Sequence, residues 1–380
     1  MKFMLVSDTF PPDINGVART LQTLARGLAK RGHEVSVVTT TERSRHENAG
    51  HRVHVEAVAS LPLPGYNGLR VGFASRRNFE RRIERFRPDA LYVAVETIMG
   101  CNAIRAATRC GVRVVSGFHT NFHTYSRDYK LPLLKQAAMR YLKWLHNRTD
   151  RTLTPSQSTA EQLSALGVTN VGVLGRGVDA ELFHPQRRDS ALRAQWGATD
   201  ETPVAIFVSR MAPEKNLPLA VRAFQHILSR APQARCLFVG DGPSAAWLRE
   251  THPEFLYAGA RTGPDLAQHY ASADIFIFPS LTETFGNVLT EALASGLVTV
   301  SFDYAAAKQY VRHGENGMVA RLGDDDAFLS ATTEALERWN DTRLRSAARA
   351  TAEGLSWTTI VEQFESELAG RPLLKSPIIP

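Results

Sequence analysis

At 380 residues, with 22% charged and 43% hydrophobic side chains, the chain has an ordinary globular composition and suits two domains better than one. No apolar run approaches the roughly 20 residues that cross a bilayer, and three cysteines without metal-ligand spacing (Cys101, Cys110 and Cys236) point to a reducing cytoplasm. The net charge of +7 is uneven: residues 1–185 carry 26 Lys/Arg against 15 Asp/Glu, and residues 186–380 carry 19 against 23, as expected of two domains with different partners.

The opening Met1–Val6 run is too short for a signal peptide and reads as a first strand, Phe3–Val6. The loop Asp8-Thr9-Phe10-Pro11-Pro12-Asp13-Ile14-Asn15-Gly16 follows. Gly16 opens a helix with Val17, Leu21, Leu24 and Leu28 on one face. A glycine at a strand-to-helix turn lets backbone N–H groups approach a phosphate. Further strands are expected at Glu34–Thr39, Leu91–Val95, Val112–Ser116 and Arg151–Thr154, with helical stretches between them. That alternation argues for a parallel sheet covered on both faces. One of the intervening helices, Ser75–Arg87, is rich in arginine. A second segment, Tyr125–Arg151, mixes lysines and arginines with Tyr129, Leu133, Leu134, Tyr141, Trp144 and Leu145. Cations beside aromatic and leucine side chains suit an anionic bilayer surface.

A polar, proline-containing stretch at Phe183–Arg188, after the Gly175-Arg176-Gly177-Val178-Asp179 turn, marks the boundary between a first domain, residues 1–185, and a second, residues 186–355. The second half repeats the scheme, with strands at Val204–Val208, Arg235–Val239, Phe255–Ala258, Ile275–Phe278, Leu297–Ser301 and Met318–Ala320. Two cations, Arg210 and Lys215, follow the first of these strands and can clamp a diphosphate. Two carboxylates, Glu283 and Glu291, flank a Phe285-Gly286 pair after the fourth. Glu283 falls in the loop, and Glu291 one to two turns into the next helix. Asp324-Asp325-Asp326 has the form of a metal-binding string, but its place after Gly323 and before Ala327, Phe328 and Leu329 reads as an acidic helix N-terminus. No metal and no cofactor is expected. At the end, Trp357, Ile360, Val361 and Phe364 have helical spacing over residues 356–369, and residues 370–380 read as a tail.

Together these stretches resemble family 4 of the retaining nucleotide-sugar glycosyltransferases. The resemblance rests on the Pro-Pro…Gly16 loop, Arg210-Met-Ala-Pro-Glu-Lys215-Asn and Phe238-Val-Gly-Asp-Gly-Pro243. It continues through Ala273-Asp274…Pro279-Ser280 and the Glu283/Glu291 pair, all in order and across nearly the whole chain. It implies an α/β fold of the GT-B type, two Rossmann-like doubly wound domains facing a central cleft, with the last helix crossing back to the N-terminal domain. By resemblance the N-terminal domain takes the acceptor and the C-terminal domain the donor. Glu291 would accept hydrogen bonds from the ribose, and Glu283 would lie beside the transferred sugar. Backbone N–H groups of Phe285, Gly286, Asn287 and Val288 would hold sugar hydroxyls or phosphate, and the nucleobase would sit near Gly259-Ala260-Arg261. His119, after its strand, would reach the donor sugar, with His123 a neighbour. Arg210 and Lys215 would meet the leaving diphosphate without a metal, and Gly16 would add a backbone N–H.

Phe302-Asp303-Tyr304-Ala305-Ala306-Ala307 departs from the family, where Gly-Gly and Pro-x-Glu are common, so the donor sugar is not carried over. The Leu61–Tyr66 stretch and the His119 loop look most like lipid-directed α-mannosyl and sulfoquinovosyl transferases. The expected activity is transfer of a hexose, mannose or glucose, from a GDP- or UDP-sugar to a lipid or lipid-linked acceptor at the inner face of the plasma membrane. A soluble or polysaccharide acceptor and a sugar-nucleotide epimerase remain as alternatives. A basic nucleic-acid-binding module would leave Glu283, Glu291, Arg210 and Lys215 without a role, so no nucleic-acid partner is expected.

Overall fold

A computed structural model describes residues 1–13, 15–40, 52–62, 70–119 and 132–371, the side chains of 132–135 excepted. Part of the Leu61–Tyr66 stretch, His123 with the segment around it, and the tail beyond Arg371 lie outside the described residues. The chain forms two compact units, Met1–Arg176 with Trp357–Pro380, and Gly177–Ser356. The units therefore divide at Arg176/Gly177, ahead of the polar stretch at Phe183–Arg188.

In the first unit the strands are β1 Lys2–Val6, β2 Glu34–Thr39, β3 Val53–Ala57, β4 Ser60–Pro62, β5 Arg70–Gly72, β6 Ala90–Val93, β7 Arg113–Gly117, β8 Arg151–Thr154 and β9 Val171–Val173. Seven of them form one parallel sheet in the order β3-β2-β1-β6-β7-β8-β9, and β4 and β5 make a small antiparallel pair. The strands buried on both faces are near-continuous apolar runs, as parallel strands covered by helices require. Helix Gly16–Lys30 covers one face through Leu21, Leu24 and Leu28. Helix Trp357–Ala369 packs beside it through Ile360, Val361, Phe364 and Leu368, and Arg31 pairs with Glu362 and Glu365. Gly27 sits where the helices touch; a Cβ there would stand 2.4 Å from Val361.

The second unit holds β10 Val204–Val208, β11 Arg235–Val239, β12 Leu256–Gly259, β13 Ile275–Phe278, β14 Val298–Phe302 and β15 Met318–Ala320, in the order β12-β11-β10-β13-β14-β15. Each sheet reverses its strand order once, between β1 and β6 in the first unit and between β10 and β13 in the second. This is the doubly wound arrangement, whose ligands bind outside the carboxyl ends of the strands at the reversal. The expected strands are present to within a residue or two at their ends. Sequence reading missed β3, β4, β5 and β9. These are short or edge strands that lack a sustained apolar run.

Candidate active site

In the second unit the polar residues gather at the carboxyl ends of β10, β12 and β13. The buried strand β10 delivers the chain to Arg210, and Pro213–Lys215 then makes a single 3-10 turn. Asn216 closes that turn in the left-handed region (φ 53°) and starts helix Leu217–Arg230. The turn aims Lys215 back over the sheet, where its Nζ donates to Glu283 Oε1 at 2.5 Å. Ser280 donates its hydroxyl to the same oxygen at 2.8 Å. Both partners of the ion pair are largely desolvated, their side chains 16% and 14% exposed, so this charge-assisted contact is stronger than a surface bridge. Arg210 does not join it. Its side chain is 66% exposed and pairs with Glu214 one turn on.

The loop after Glu283 buries Phe285 and turns at Gly286, whose φ of 98° suits glycine. Gly286 caps helix Asn287–Ala294, so the amides of Asn287 and Val288 lie in the first turn. Glu291 lies further along that helix and is buried, 8% exposed. Tyr270, fully buried on helix Gly263–Ser272, donates its hydroxyl to Glu291 Oε2 at 3.3 Å and to the Val288 carbonyl at 3.2 Å. Gly259 ends β12 at φ 71°, and Arg261 beyond it is exposed, donating to the Ala258 carbonyl and to Asp265. A small recess beside Glu283 is lined by Phe278, Ser280, Phe285, Ser301, Phe302 and Tyr304. Next to Tyr304, Ala305 takes φ 52° and ψ −122°, a conformation costly for any residue with a Cβ. Asp324 is the N-cap of helix Asp325–Glu337, accepting from the Ala327 amide at 3.0 Å, and Asp325 pairs with Arg222. Among the described residues no group of three or more His, Cys, Asp or Glu could hold a metal ion.

In the first unit Gly16 opens its helix and is exposed. Asn15 caps that helix, its Oδ1 accepting from the Ala18 amide at 2.8 Å while its side-chain amide donates to Thr9. His119 lies just past β7, with each ring nitrogen occupied. Nε2 stands 2.9 Å from the Tyr92 hydroxyl, and Nδ1 stands 2.9 Å from Arg176 Nη2. Arginine only donates, so Nδ1 is the acceptor and the neutral ring carries its proton on Nε2. Burial, the Arg176 charge and then His146 hold His119 well below the usual histidine range. Burial also lowers Arg176 and raises Tyr92. His146, 2.9 Å from the Ser116 hydroxyl, is pushed down by burial to about 4. Beyond the carboxyl ends of β1 and β6, Asp8 accepts from the Gly72 amide at 3.0 Å, and burial raises its carboxyl. A cleft of about 490 Å³ opens nearby, with Glu96, Asn102 and Arg105 beside Val71, Ile98 and Tyr141.

The structure thus brings Lys215 and Glu283 together with Ser280, and leaves Arg210 and Arg261 on the surface. The sequence carries no signal for Tyr270, an aromatic on the buried side of a helix that also holds Asp265, Gln268 and His269, and Arg176 reads in it as part of a turn. Helix Arg76–Phe86 buries Phe79 and Ile83 and exposes Arg76, Arg77 and Arg81, while Arg82 and Arg85 pair with Glu56. Trp144 is half-buried, with the guanidinium groups of Arg105 and Arg148 over its ring.

Residues 14–182 match the profile described as Glycosyltransferase Family 4, and residues 202–338 match Glycosyl transferases group 1. A Mycobacterium tuberculosis protein named GDP-mannose-dependent alpha-mannosyltransferase is 31% identical over 96% of this chain and 95% of its own. The chain belongs to glycosyltransferase family 4. Another relative in this family, the sulfoquinovosyl transferase of Arabidopsis thaliana, is 30% identical over 93% of this chain and 70% of its own length. Among solved structures, Anabaena HepE in complex with UDP superposes with a TM-score of 0.77 at 20% identity, covering 97% of this chain and 100% of that one. WaaG, a glycosyltransferase involved in lipopolysaccharide biosynthesis, does so at 0.70 and 15%, covering 97% and 100%. The fold class is therefore the expected one, with two parallel-sheet Rossmann-like domains of GT-B type, and the protein is a glycosyltransferase.

Proposed function

We propose that this family 4 enzyme moves a hexose, mannose or glucose, from a GDP- or UDP-sugar to a lipid acceptor at the cytoplasmic face of a membrane, with retention and without a metal. The observation that carries the reading is the Lys215–Glu283 pair at the strand-order reversal of the second unit. A fixed cation there can meet the charge that develops on a departing diphosphate, and the carboxylate beside it can meet the sugar. Arg210, exposed on the same loop, adds a second cation. In this reading the second unit binds the donor. Glu291 takes the ribose hydroxyls, and Gly259 and Arg261 flank the base. The Phe285–Val288 backbone takes sugar hydroxyls or phosphate.

The first unit binds the acceptor and contributes Gly16 and His119, whose Nε2 would leave Tyr92 for a sugar hydroxyl. The bond from the sugar's anomeric carbon to phosphate breaks. A bond from that carbon to the acceptor oxygen forms on the same face, and the acceptor's proton passes to the leaving phosphate. The relatives' names support a lipid acceptor: mannosyltransferases, a sulfoquinovosyl transferase and, in Streptococcus pneumoniae, an alpha-monoglucosyldiacylglycerol synthase 27% identical over 79% of this chain. The cleft in the first unit has polar groups beside exposed Ile98 and Tyr141, as a lipid headgroup with its attached chain requires. No helix among the described residues is long and apolar enough to cross a membrane, so contact with the bilayer is assigned to the exposed arginines of helix Arg76–Phe86.

A thermal-shift panel of GDP- and UDP-sugars, followed by transfer to diacylglycerol with and without EDTA, tests this. A bound donor raises the melting temperature by mass action. The expected product carries an α linkage and forms in EDTA. A β-linked product seen by NMR from an α-linked donor sinks the retaining mechanism, and loss of activity in EDTA restored by Mn²⁺ sinks metal independence.

A further inference from the structure

The first unit contains a buried cation that its described residues do not neutralise. Arg176 is 6% exposed. Among the described residues its hydrogen bonds go to His119 Nδ1 at 2.9 Å and to the carbonyl of Gly175 at 3.5 Å, both uncharged acceptors. No carboxylate of the described residues pairs with it. Arg193, also deeply buried, behaves as protein interiors demand. It donates to the Asp274 carboxylate at 3.1 Å and to the carbonyls of Ser272, Thr199 and Thr202. Taking a guanidinium out of water without a counter-charge carries a large penalty, and folds seldom retain one unless something else supplies the charge.

The position of Arg176 is as telling as its charge. It follows β9 as His119 follows β7, two strands apart on the same sheet, and both residues lie at the carboxyl ends of the strands. Gly117, at the end of β7, leaves room for the arrangement; a Cβ there would stand 2.0 Å from the Tyr92 hydroxyl and 2.6 Å from His119 Nε2. Tyr92 and Arg176 therefore clamp His119 from opposite sides. The clamp uses one Nη of a five-donor fork whose planar geometry matches a tetrahedral oxyanion.

We propose that Arg176 is a substrate-binding residue whose counter-charge is an oxyanion of the phosphate or sulfonate class, delivered to the end of the first sheet beside His119. The proposal rests on the glycosyltransferase reading. The anion has two possible sources, the donor's diphosphate and an acidic headgroup on the lipid acceptor, and each leaves its own kinetic signature.

The test uses Arg176→Met and Arg176→Lys in the full chain. Melting temperature, hydrolysis of the nucleotide sugar without acceptor, and transfer to diacylglycerol and to phosphatidylinositol are measured for each. Arg176→Met should melt no lower than the parent, because an unpaired buried charge is removed, and yet lose roughly ten- to a hundredfold in activity, as loss of a charge-assisted hydrogen bond does. Arg176→Lys should retain part of it. A donor source predicts that hydrolysis and stabilisation by GDP or UDP fall together. An acceptor source leaves hydrolysis intact and lowers transfer to the acidic lipid alone. A lower melting temperature with both activities within twofold of the parent overturns the proposal, because it describes a structural arginine. If the parent turns over no nucleotide sugar, the functional reading fails, and inorganic phosphate decides the anion site. In an Arg210→Ala, Lys215→Ala background, phosphate should raise the melting temperature only while Arg176 is present; equal stabilisation of Arg176→Met overturns the site.

Discussion

The two units handle a desolvated cation in opposite ways. In the second, Lys215 is paired with Glu283 at 2.5 Å, and a serine hydroxyl orders the carboxylate. In the first, Arg176 faces a neutral histidine. A paired cation gains from its partner and is held in one geometry. An unpaired one is destabilising until a ligand arrives, so its cost to the fold is also its readiness for an anion. The contrast follows the sheets: in the second unit the β10 and β13 loops meet at the strand-order reversal, whereas Arg176 follows the edge strand β9, and no carboxylate of the described residues pairs with it.

The largest expected effect breaks the paired side. Glu283→Gln removes the charge while keeping the shape, and Lys215→Met strands a partly buried carboxylate. Each should lower kcat by roughly 10²- to 10³-fold, the scale of losing a preorganised electrostatic group. Near-normal kcat in both would remove the pair from the chemistry. Stability against pH should separate the units next. His146 is held neutral, about 4 in the fold against 6.5 for an ordinary histidine, so the unfolded chain takes up its proton first as the pH falls. That contribution is fully present above pH 6.5 and is lost progressively down to about pH 4, at most roughly 3 kcal/mol. Thermal melts of the parent and His146→Gln across that window should show a shallower slope in the variant. Parallel slopes would remove His146 as the cause.

Smaller effects refine the picture. Changing Arg76, Arg77 and Arg81 together to Ser should weaken co-sedimentation with anionic vesicles, at about 1 kcal/mol per arginine, leaving donor hydrolysis intact. Unchanged sedimentation would make that face merely solvated. Glu291→Ala should raise the donor Kd roughly tenfold with little change in kcat, and Tyr270→Phe should give a weaker copy of the same pattern. An effect of Tyr270→Phe on kcat alone would assign that hydroxyl elsewhere. The smallest is Ala305→Gly. Relief of a positive φ and the entropy of glycine nearly offset each other, so the change in stability should stay within about 1 kcal/mol. A loss beyond that would mean the Ala305 side chain packs more than it strains.

The two parallel sheets are legible in the amino-acid order alone, because buried parallel strands are written as local apolar runs such as Val204–Val208 and Ile275–Phe278. The amino-acid order also locates the Arg210–Lys215 and Glu283–Glu291 stretches, whose residues are neighbours along the chain. The family resemblance placed both in one order. Which of these charges meet depends on the folded arrangement of the loops. Lys215 and Glu283 lie 68 positions apart and are joined because β10 and β13 are adjacent strands; Arg210, five residues from Lys215, points away to Glu214. Likewise Arg176 reads as a turn residue until β7 and β9 bring it against His119, 57 positions earlier. Periodicity and propensity act over a few residues, whereas burial and counter-charge depend on which distant loops the sheet order makes neighbours.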